Sequence, residues 1–168
     1  MRTRTQIVER ARIHVGHREV SPNRSPLIDA WLRRCGLGPG YPWCAAFASW
    51  CVEEGRFSRV DDDAVMPVAC AGALRLGRMF PETLAPQPGD LMFLATDDKG
   101  AGHVGIVVAG SATEVLCIEG NSANMIRHVR RLRAQVKFAR TREEVLTLPP
   151  INPRLDAPLV QVSFEGTR

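Results

Sequence analysis

Residues 41–55, YPWCAAFASWCVEEG, combine two cysteines, two tryptophans and a proline in one apolar run. Pro42 suits the first position of a helix, and Gly55 suits the position just after its last turn. The stretch therefore predicts a helix that carries Cys44 in its first turn. Because the partial positive charge at a helix start lowers the pKa of a nearby thiol, Cys44 is a candidate nucleophile as well as a candidate core residue.

Three further segments predict short helices. Residues 3–17 place apolar side chains on one face at helical spacing, with Arg4 and the other charged residues off that face. Residues 21–40 contain Ser25 as an N-cap, followed by a proline at the first helical position. The small-residue run at 68–80 indicates a helix that packs closely against its neighbours. The helical signals thus precede residue 87.

After residue 87 the sequence changes from helical spacing to short, β-rich apolar runs. These runs are LMFL at 91–94, HVGIVVA at 103–109, TEVLCIE at 113–119 and VKFAR at 136–140. Helices first and strands second predict an α+β domain with a mainly antiparallel sheet. We expect a single domain over residues 1–148. A proline-punctuated tail follows over residues 149–168, in which LVQVSF could add an edge strand.

A thiolate nucleophile needs a histidine as base and acid, and that histidine needs a third polar group to orient it. His103 opens an apolar run, whereas the other three histidines lie on a helix face or in basic surroundings. A hairpin turn centred on residue 111 would place Glu119 opposite His103, within reach of a hydrogen bond. A turn centred on residue 110 would place Cys117 there instead, and the pattern leaves both registers open.

Composition bears on compartment and partners. The net charge of +4 favours an anionic partner, which could be nucleic acid, anionic lipid or acidic wall polymer. No stretch reaches the roughly 20 apolar residues of a membrane helix, and the N-terminal segment lacks the apolar core of a secretory signal. Five cysteines without close pairs fit reduced thiols. We therefore expect synthesis in the cytoplasm without Sec export.

Four blocks of sequence occur in a recognisable order. They are GYPWCAAFASWC at 40–51, QPGDLMF at 87–93, GHVGIVV at 102–108 and IEGNS at 118–122. With these blocks the chain resembles the CHAP family, the cysteine, histidine-dependent amidohydrolases and peptidases. The resemblance implies a papain-like fold related to the NlpC/P60 proteins. In that fold helices come first, the catalytic cysteine lies at a helix N-terminus, and an antiparallel sheet follows.

The same resemblance implies roles for four residues. Cys44 would be the nucleophile and His103 the base. Glu119 would orient the histidine, and Asn121 would add polar support. The family cleaves amide bonds in bacterial cell-wall peptides, so the expected partner is peptidoglycan. The expected enzyme is a phage-type lysin, either an N-acetylmuramoyl-L-alanine amidase or an endopeptidase, which acts at the wall after release or injection.

Weaker candidates surround this set. Tyr41 could donate its hydroxyl to an oxyanion, and Trp43 could contact the oxyanion or the substrate. The acidic residues 61–63 could form a lid, a partner contact or a calcium site, because some CHAP relatives bind calcium, although the expected chemistry needs no cofactor. The basic run IRHVRRLRAQVKFAR at 126–140 could attract anionic wall polymer, or it could be the solvated face of one or two strands.

Other interpretations are weaker. A metal-binding protein is disfavoured because the cysteines form no C-x-x-C pair and His103 stands alone. A nucleic-acid-binding module is disfavoured because no recognised motif accompanies the arginines. Within the CHAP resemblance, the alternatives are an amidase acting on glutathionylspermidine and a catalytically silent module that only binds. We expect a monomer without a membrane span and without nucleic acid as a partner.

Overall fold

The structure is a computed structural model that describes residues 3–53, 69–95, 102–141 and 151. Four helices precede the strands in this part of the chain, as the sequence predicts. The helices are α1 (Arg4–Arg12), α2 (Pro26–Arg34), α3 (Cys44–Val52) and α4 (Ala73–Arg78). The strands are β1 (Leu91–Ala95), β2 (Gly102–Gly110), β3 (Glu114–Glu119), β4 (Arg127–Leu132) and β5 (Lys137–Ala139), with a 3₁₀ turn at Arg133–Gln135.

The five strands form one antiparallel sheet in the order β4-β3-β2-β1-β5. The predicted α+β class with an antiparallel sheet is confirmed, and its coarse arrangement is consistent with a papain-like fold. The four apolar runs correspond to β1, β2, β3 and β5. The remaining strand, β4, lies in the basic run. It is at the edge of the sheet, where a strand can carry charged side chains while it pairs with its single neighbour.

The helices pack on one face of the sheet. Trp31, Trp43 and Phe47 are fully buried there and lie in the same apolar cluster as Ile106 of β2 and Ile118 of β3. The neighbouring positions on the strands point to the other face, because side chains alternate along a strand. These positions form a second, smaller cluster made of Met92, Leu94, Val107, Val115, Cys117 and Phe138.

The start of α1 differs from the prediction. Arg4, expected off the apolar face, is only 1% exposed and forms an ion pair with Asp90, which is fully buried just before β1. Asp90 also accepts hydrogen bonds from the backbone N–H groups of Gln87 and Thr141. A buried arginine needs such a carboxylate because an unpaired charge inside a protein is costly. Helical periodicity carries no information about this distant partner.

The predicted start of α2 is confirmed, and α3 begins slightly later than predicted. Ser25 caps α2, since its hydroxyl accepts the backbone N–H of Ile28 at 3.1 Å, and a proline occupies the first helical position. Helix α3 begins at Cys44, two residues after the proline expected to start it. Trp43, with φ −122° and ψ 7°, is the N-cap, and its carbonyl accepts the first intrahelical bond from Phe47. Cys44 is therefore in the first turn, as predicted.

Several predictions concern residues outside the described ranges. They include Gly55 as the helix terminator, the acidic loop at 61–63 and, apart from Ile151, the tail over residues 149–168 with its LVQVSF strand. All five cysteines are described and are free thiols in the structure. Within the described ranges, none of the helices has the length and apolar character needed to cross a membrane.

Candidate active site

Cys44 occupies the first position of α3, where it is 6% exposed. The start of this helix is held against the end of β3 by close packing on Gly120. A Cβ at Gly120 would lie 2.8 Å from Phe47 Cδ1 and 2.9 Å from Trp43 Cζ3. Trp43 is further held by Glu19, whose carboxylate accepts the indole N–H at 2.8 Å. These contacts place the thiol at the junction between the helices and the sheet.

Cys44, His103 and Glu119 come together at this junction. The Nε2 atom of His103 lies 2.7 Å from Oε2 of Glu119, and the Cys44 side chain is within hydrogen-bonding reach of the same ring. Because Glu119 occupies Nε2, the other ring nitrogen, Nδ1, is left for the contact with Cys44. The Glu119 side chain is fully buried and that of His103 is 14% exposed. Helix and sheet thus bring three of the sequence-predicted residues into one hydrogen-bonded chain.

The register between β2 and β3 differs from both predicted alternatives. Ile106 pairs with Ile118, so continuing the ladder places Gly105, not His103, opposite Glu119. The hairpin turn lies further along the chain, because the Ser111 hydroxyl accepts the backbone N–H of Glu114 and the Ser111 N–H donates to the Glu114 carbonyl. An irregularity between Val107 and Ala109 then shifts the ladder back by one residue, towards the predicted registers. Turn chemistry and a bulge set the register, as is usual in hairpins.

A glycine allows Glu119 to reach His103 despite this offset. A Cβ at Gly105 would lie 2.7 Å from Cγ of Glu119, so the Glu119 side chain passes over the Gly105 backbone. A diagonal neighbour in a sheet is about 7 to 8 Å away, within reach of a long side chain when nothing stands between. The gap at Gly105 therefore provides the path that joins the carboxylate to the imidazole.

Arg131 of β4 completes the chain, and the sequence reasoning did not single it out. Its Nε donates to Oε1 of Glu119 at 2.9 Å and a terminal nitrogen donates to Oε2 at 2.7 Å. The Arg131 side chain is 11% exposed. It pairs with Val115 across the ladder and shares the face of the second apolar cluster. The sequence contains one indication of this role, the alternation of Arg127, Val129 and Arg131. Because every second side chain of a strand lies on the same face, Arg131 shares the face of the inward-pointing Val129.

His103 and Glu119 favour each other's charged states. Burial by itself lowers the pKa of His103, but hydrogen bonds and charge interactions with Cys44 and Glu119 raise it to about 10. Burial raises the pKa of Glu119, but the bonds from His103 and Arg131 hold it below its ordinary value. The arrangement therefore favours an imidazolium beside the thiol, backed by a carboxylate and a guanidinium.

A comparison with family models matches a CHAP domain over residues 36–121, just over half of the chain. The chain belongs to the CHAP domain family. The match includes Cys44, His103, Glu119 and Asn121, and CHAP domains are in general cysteine- and histidine-dependent amidohydrolases or peptidases. The family assignment therefore supports a hydrolase of the amidase or peptidase kind.

Comparisons with individual proteins add little to the CHAP assignment. Among solved structures, the chain is similar to one described as "The crystal structure of Ly7917", with a TM-score of 0.45 and 14% sequence identity. The similarity covers 83% of this chain and 63% of that one, so the chain spans less than two thirds of the length of that structure. No curated protein matches.

The remaining candidates of the CHAP domain lie outside the hydrogen-bonded chain. Asn121 does not continue β3, because its φ is 56°, and its side chain makes no hydrogen bond with the other described residues. Tyr41 is about half exposed. Trp43 is fully buried and its indole N–H is bound by Glu19, so its ring packs in the core rather than lining an open site.

The arginines of the basic run are largely engaged inside the CHAP domain. Arg127 donates to the Ser122 hydroxyl, and Arg133 donates to the backbone carbonyls of Ser111 and Leu84. With Arg131 bound to Glu119, this run supports the loops and the site. Among the described residues, no group of three or more histidine, cysteine or acidic side chains could hold a metal ion.

Proposed function

We propose that this CHAP domain hydrolyses amide bonds of peptidoglycan, with Cys44 as nucleophile and His103 as general acid and base. One observation carries the proposal. A thiol at the first position of a helix lies beside an imidazole whose other nitrogen is bound to a buried carboxylate. This is the nucleophile, base and orienting group that amide cleavage through a covalent intermediate requires.

In the first half of the reaction, the Cys44 thiolate attacks the carbonyl carbon of the substrate and a C–S bond forms. His103 gives its Nδ1 proton to the departing amine as the C–N bond breaks, leaving a thioester. The Cys44 backbone N–H lies at the start of α3 and has no partner within the helix, so it suits the role of oxyanion donor. The hydroxyl of Tyr41, a residue that is about half exposed, is a candidate second donor.

In the second half, His103 accepts a proton from water, which attacks the thioester. The C–S bond breaks, the product leaves as a carboxylic acid that gives its remaining proton to the solvent, and the Cys44 thiolate and the His103 imidazolium are restored. Glu119 stabilises the imidazolium before and after each transfer. All of these steps use groups of the protein itself, and we extend the proposal to an enzyme without a cofactor.

The setting of the reaction is part of the same proposal. As a peptidoglycan hydrolase, the protein would act as a phage-type lysin, reaching the wall after release or injection. The bond cleaved would be the one between N-acetylmuramic acid and L-alanine, or one within the stem peptide or cross-bridge. Each choice leaves a different new amine on the product, so a single digestion distinguishes them.

The decisive experiment digests peptidoglycan from several wall types and identifies the fragments by mass spectrometry. We expect new amine termini with the native protein and none with Cys44→Ala. Cys35→Ala is the matched control, since Cys35 is a half-buried thiol that is hydrogen-bonded to Ser49. This variant should cleave like the native protein. Glutathionylspermidine and DNA serve as alternative ligands. Intact walls after treatment with folded native protein would refute the proposal, and cleavage of glutathionylspermidine alone would support the small-amide alternative.

A further inference from the structure

The hydrogen-bonded chain of the site continues beyond the three residues that perform the proposed chemistry. Arg131 donates two bonds to Glu119, at 2.9 Å and 2.7 Å, and Oε2 of Glu119 is shared between Arg131 and His103. The carboxylate is fully buried and the guanidinium nearly so. A buried pair of this kind has a fixed geometry, because alternative partners such as water are excluded.

A single hydrogen bond to His103 would leave the carboxylate free to turn about its last side-chain bond. The guanidinium is planar and presents a rigid fork of donors that matches both carboxylate oxygens at once. Contact with both oxygens sets the plane of the Glu119 carboxylate. That plane in turn sets the direction from which Oε2 meets the imidazole ring of His103.

The groups around Glu119 leave Arg131 as the neighbour best placed for this role. His103 of β2 lies on one side, and Cys117 of β3 is a buried thiol whose own pKa is raised, first by burial and then by Glu119. Arg127 of β4 stands opposite Glu119 in the ladder, but its Nε donates to Ser122. Cys44 of α3 lies on the helical side of the site, where it interacts with His103.

We propose that Arg131 is a positioning residue, which acts on the reaction only through Glu119. Its charge keeps the carboxylate ionised, and its fork holds the carboxylate in the orientation that receives His103. The inference rests on the proposed function, in which His103 must keep one orientation through both proton transfers. It extends the site to a strand whose sequence contains no family block, since the recognised blocks end at residue 122.

The test measures two rates as a function of pH, in the native protein, in Arg131→Met and in Arg131→Lys. One is the rate at which iodoacetamide alkylates Cys44, read by mass spectrometry, and the other is the hydrolysis of peptidoglycan. Loss of a neighbouring opposite charge raises a carboxyl pKa by about 1 to 3 units, so the acid limb of both profiles should move to higher pH in Arg131→Met. Arg131→Lys keeps the charge but not the fork, and should show a smaller movement with a lower maximal rate.

Arg133→Met is the matched control. Arg133 belongs to the same basic run, but its hydrogen bonds to the described residues are with backbone carbonyls. Its profiles should coincide with those of the native protein. In a Glu119→Gln background, Arg131→Met should produce no further movement, since the carboxylate through which it acts is gone. A further movement there would contradict the inference.

The outcomes separate this inference from the proposed function. Alkylation needs no substrate, so a shifted alkylation profile without any wall hydrolysis supports the role of Arg131 and refutes the substrate. Wall hydrolysis by the native protein with unshifted profiles in folded Arg131→Met refutes the role of Arg131. Folding is checked by circular dichroism. If Arg131→Met does not fold, Arg131→Lys decides, because an unchanged profile and rate in that variant would overturn the inference.

Discussion

Gly105 shows how one missing side chain can determine whether the site forms. Glu119 stands opposite Gly105 in the ladder and reaches His103 by crossing its backbone. An added Cβ would meet Cγ of Glu119 at 2.7 Å and the Ile118 carbonyl at 3.2 Å. Because the second contact is with backbone, the strands have little room to adjust, and the glutamate side chain must give way.

We expect Gly105→Ala to lower turnover by at least about tenfold, as loss of a base's orienting group does, while unfolding remains cooperative. Overpacking of this kind costs about 1 to 3 kcal/mol of stability. Gly38→Ala is the control, since a Cβ there meets nothing within 4 Å. Turnover is measured on peptidoglycan, or as Cys44 alkylation if no substrate is found. Equal rates in both variants would show that Glu119 does not need its path over Gly105.

At the scale of elements, α1 is attached to the sheet by a buried charge pair. Arg4 at the start of the helix meets Asp90 just before β1, and Asp90 also receives a backbone N–H from Thr141 beyond β5. Gly89 allows the approach, since its φ is 88° and a Cβ there would lie 3.0 Å from the Arg4 backbone. One carboxylate therefore connects the first helix to both β1 and the segment after β5.

Arg4→Met should lower the free energy of unfolding by about 3 to 5 kcal/mol, because it leaves Asp90 buried without its cation. Arg12→Met on the same helix should lower it by less than about 1 kcal/mol, because Arg12 and its partner Glu9 are each about half exposed. Urea unfolding monitored by circular dichroism measures both. Similar losses in the two variants would mean that the Arg4–Asp90 pair does not anchor α1.

At the scale of the whole molecule, the site exists only when four elements meet. Cys44 comes from α3, His103 from β2, Glu119 from β3 and Arg131 from β4. None of these residues is a sequence neighbour of another, so the unfolded chain separates them. The protonation of the site is therefore linked to folding, and the stability of the molecule should depend on pH through it.

The pKa of His103 rises from its ordinary value of 6.5 to about 10 on folding. Its contribution to stability is thus complete below about pH 6.5 and is lost as the pH rises towards 10. The pKa of Glu119 is lowered, so its contribution is present above 4.5 and is lost as the pH falls. Urea unfolding of the native protein and of His103→Gln should give stabilities whose difference shrinks between pH 6.5 and 10. A constant difference over that range would contradict the linkage.

Much of this protein could be predicted from local sequence. Ser25 and the proline after it mark the start of α2 because capping and proline preferences act within one turn. Cys44 falls in the first turn of α3, and short, β-rich apolar runs locate four of the five strands. The order of the four blocks points to the CHAP family. Each of these signals depends on residues that are close together in the chain.

Tertiary structure decided the rest. The hydroxyl of Ser111 and the bulge at residue 108 set the register that puts Gly105, rather than His103, opposite Glu119. Arg131 and Arg4 look like surface charges in the sequence, yet each meets a buried carboxylate from a distant segment. Periodicity reports which face of its own element a residue occupies. The partner of a buried charge depends on how the elements pack, because only packing removes water and brings the opposite charge into reach.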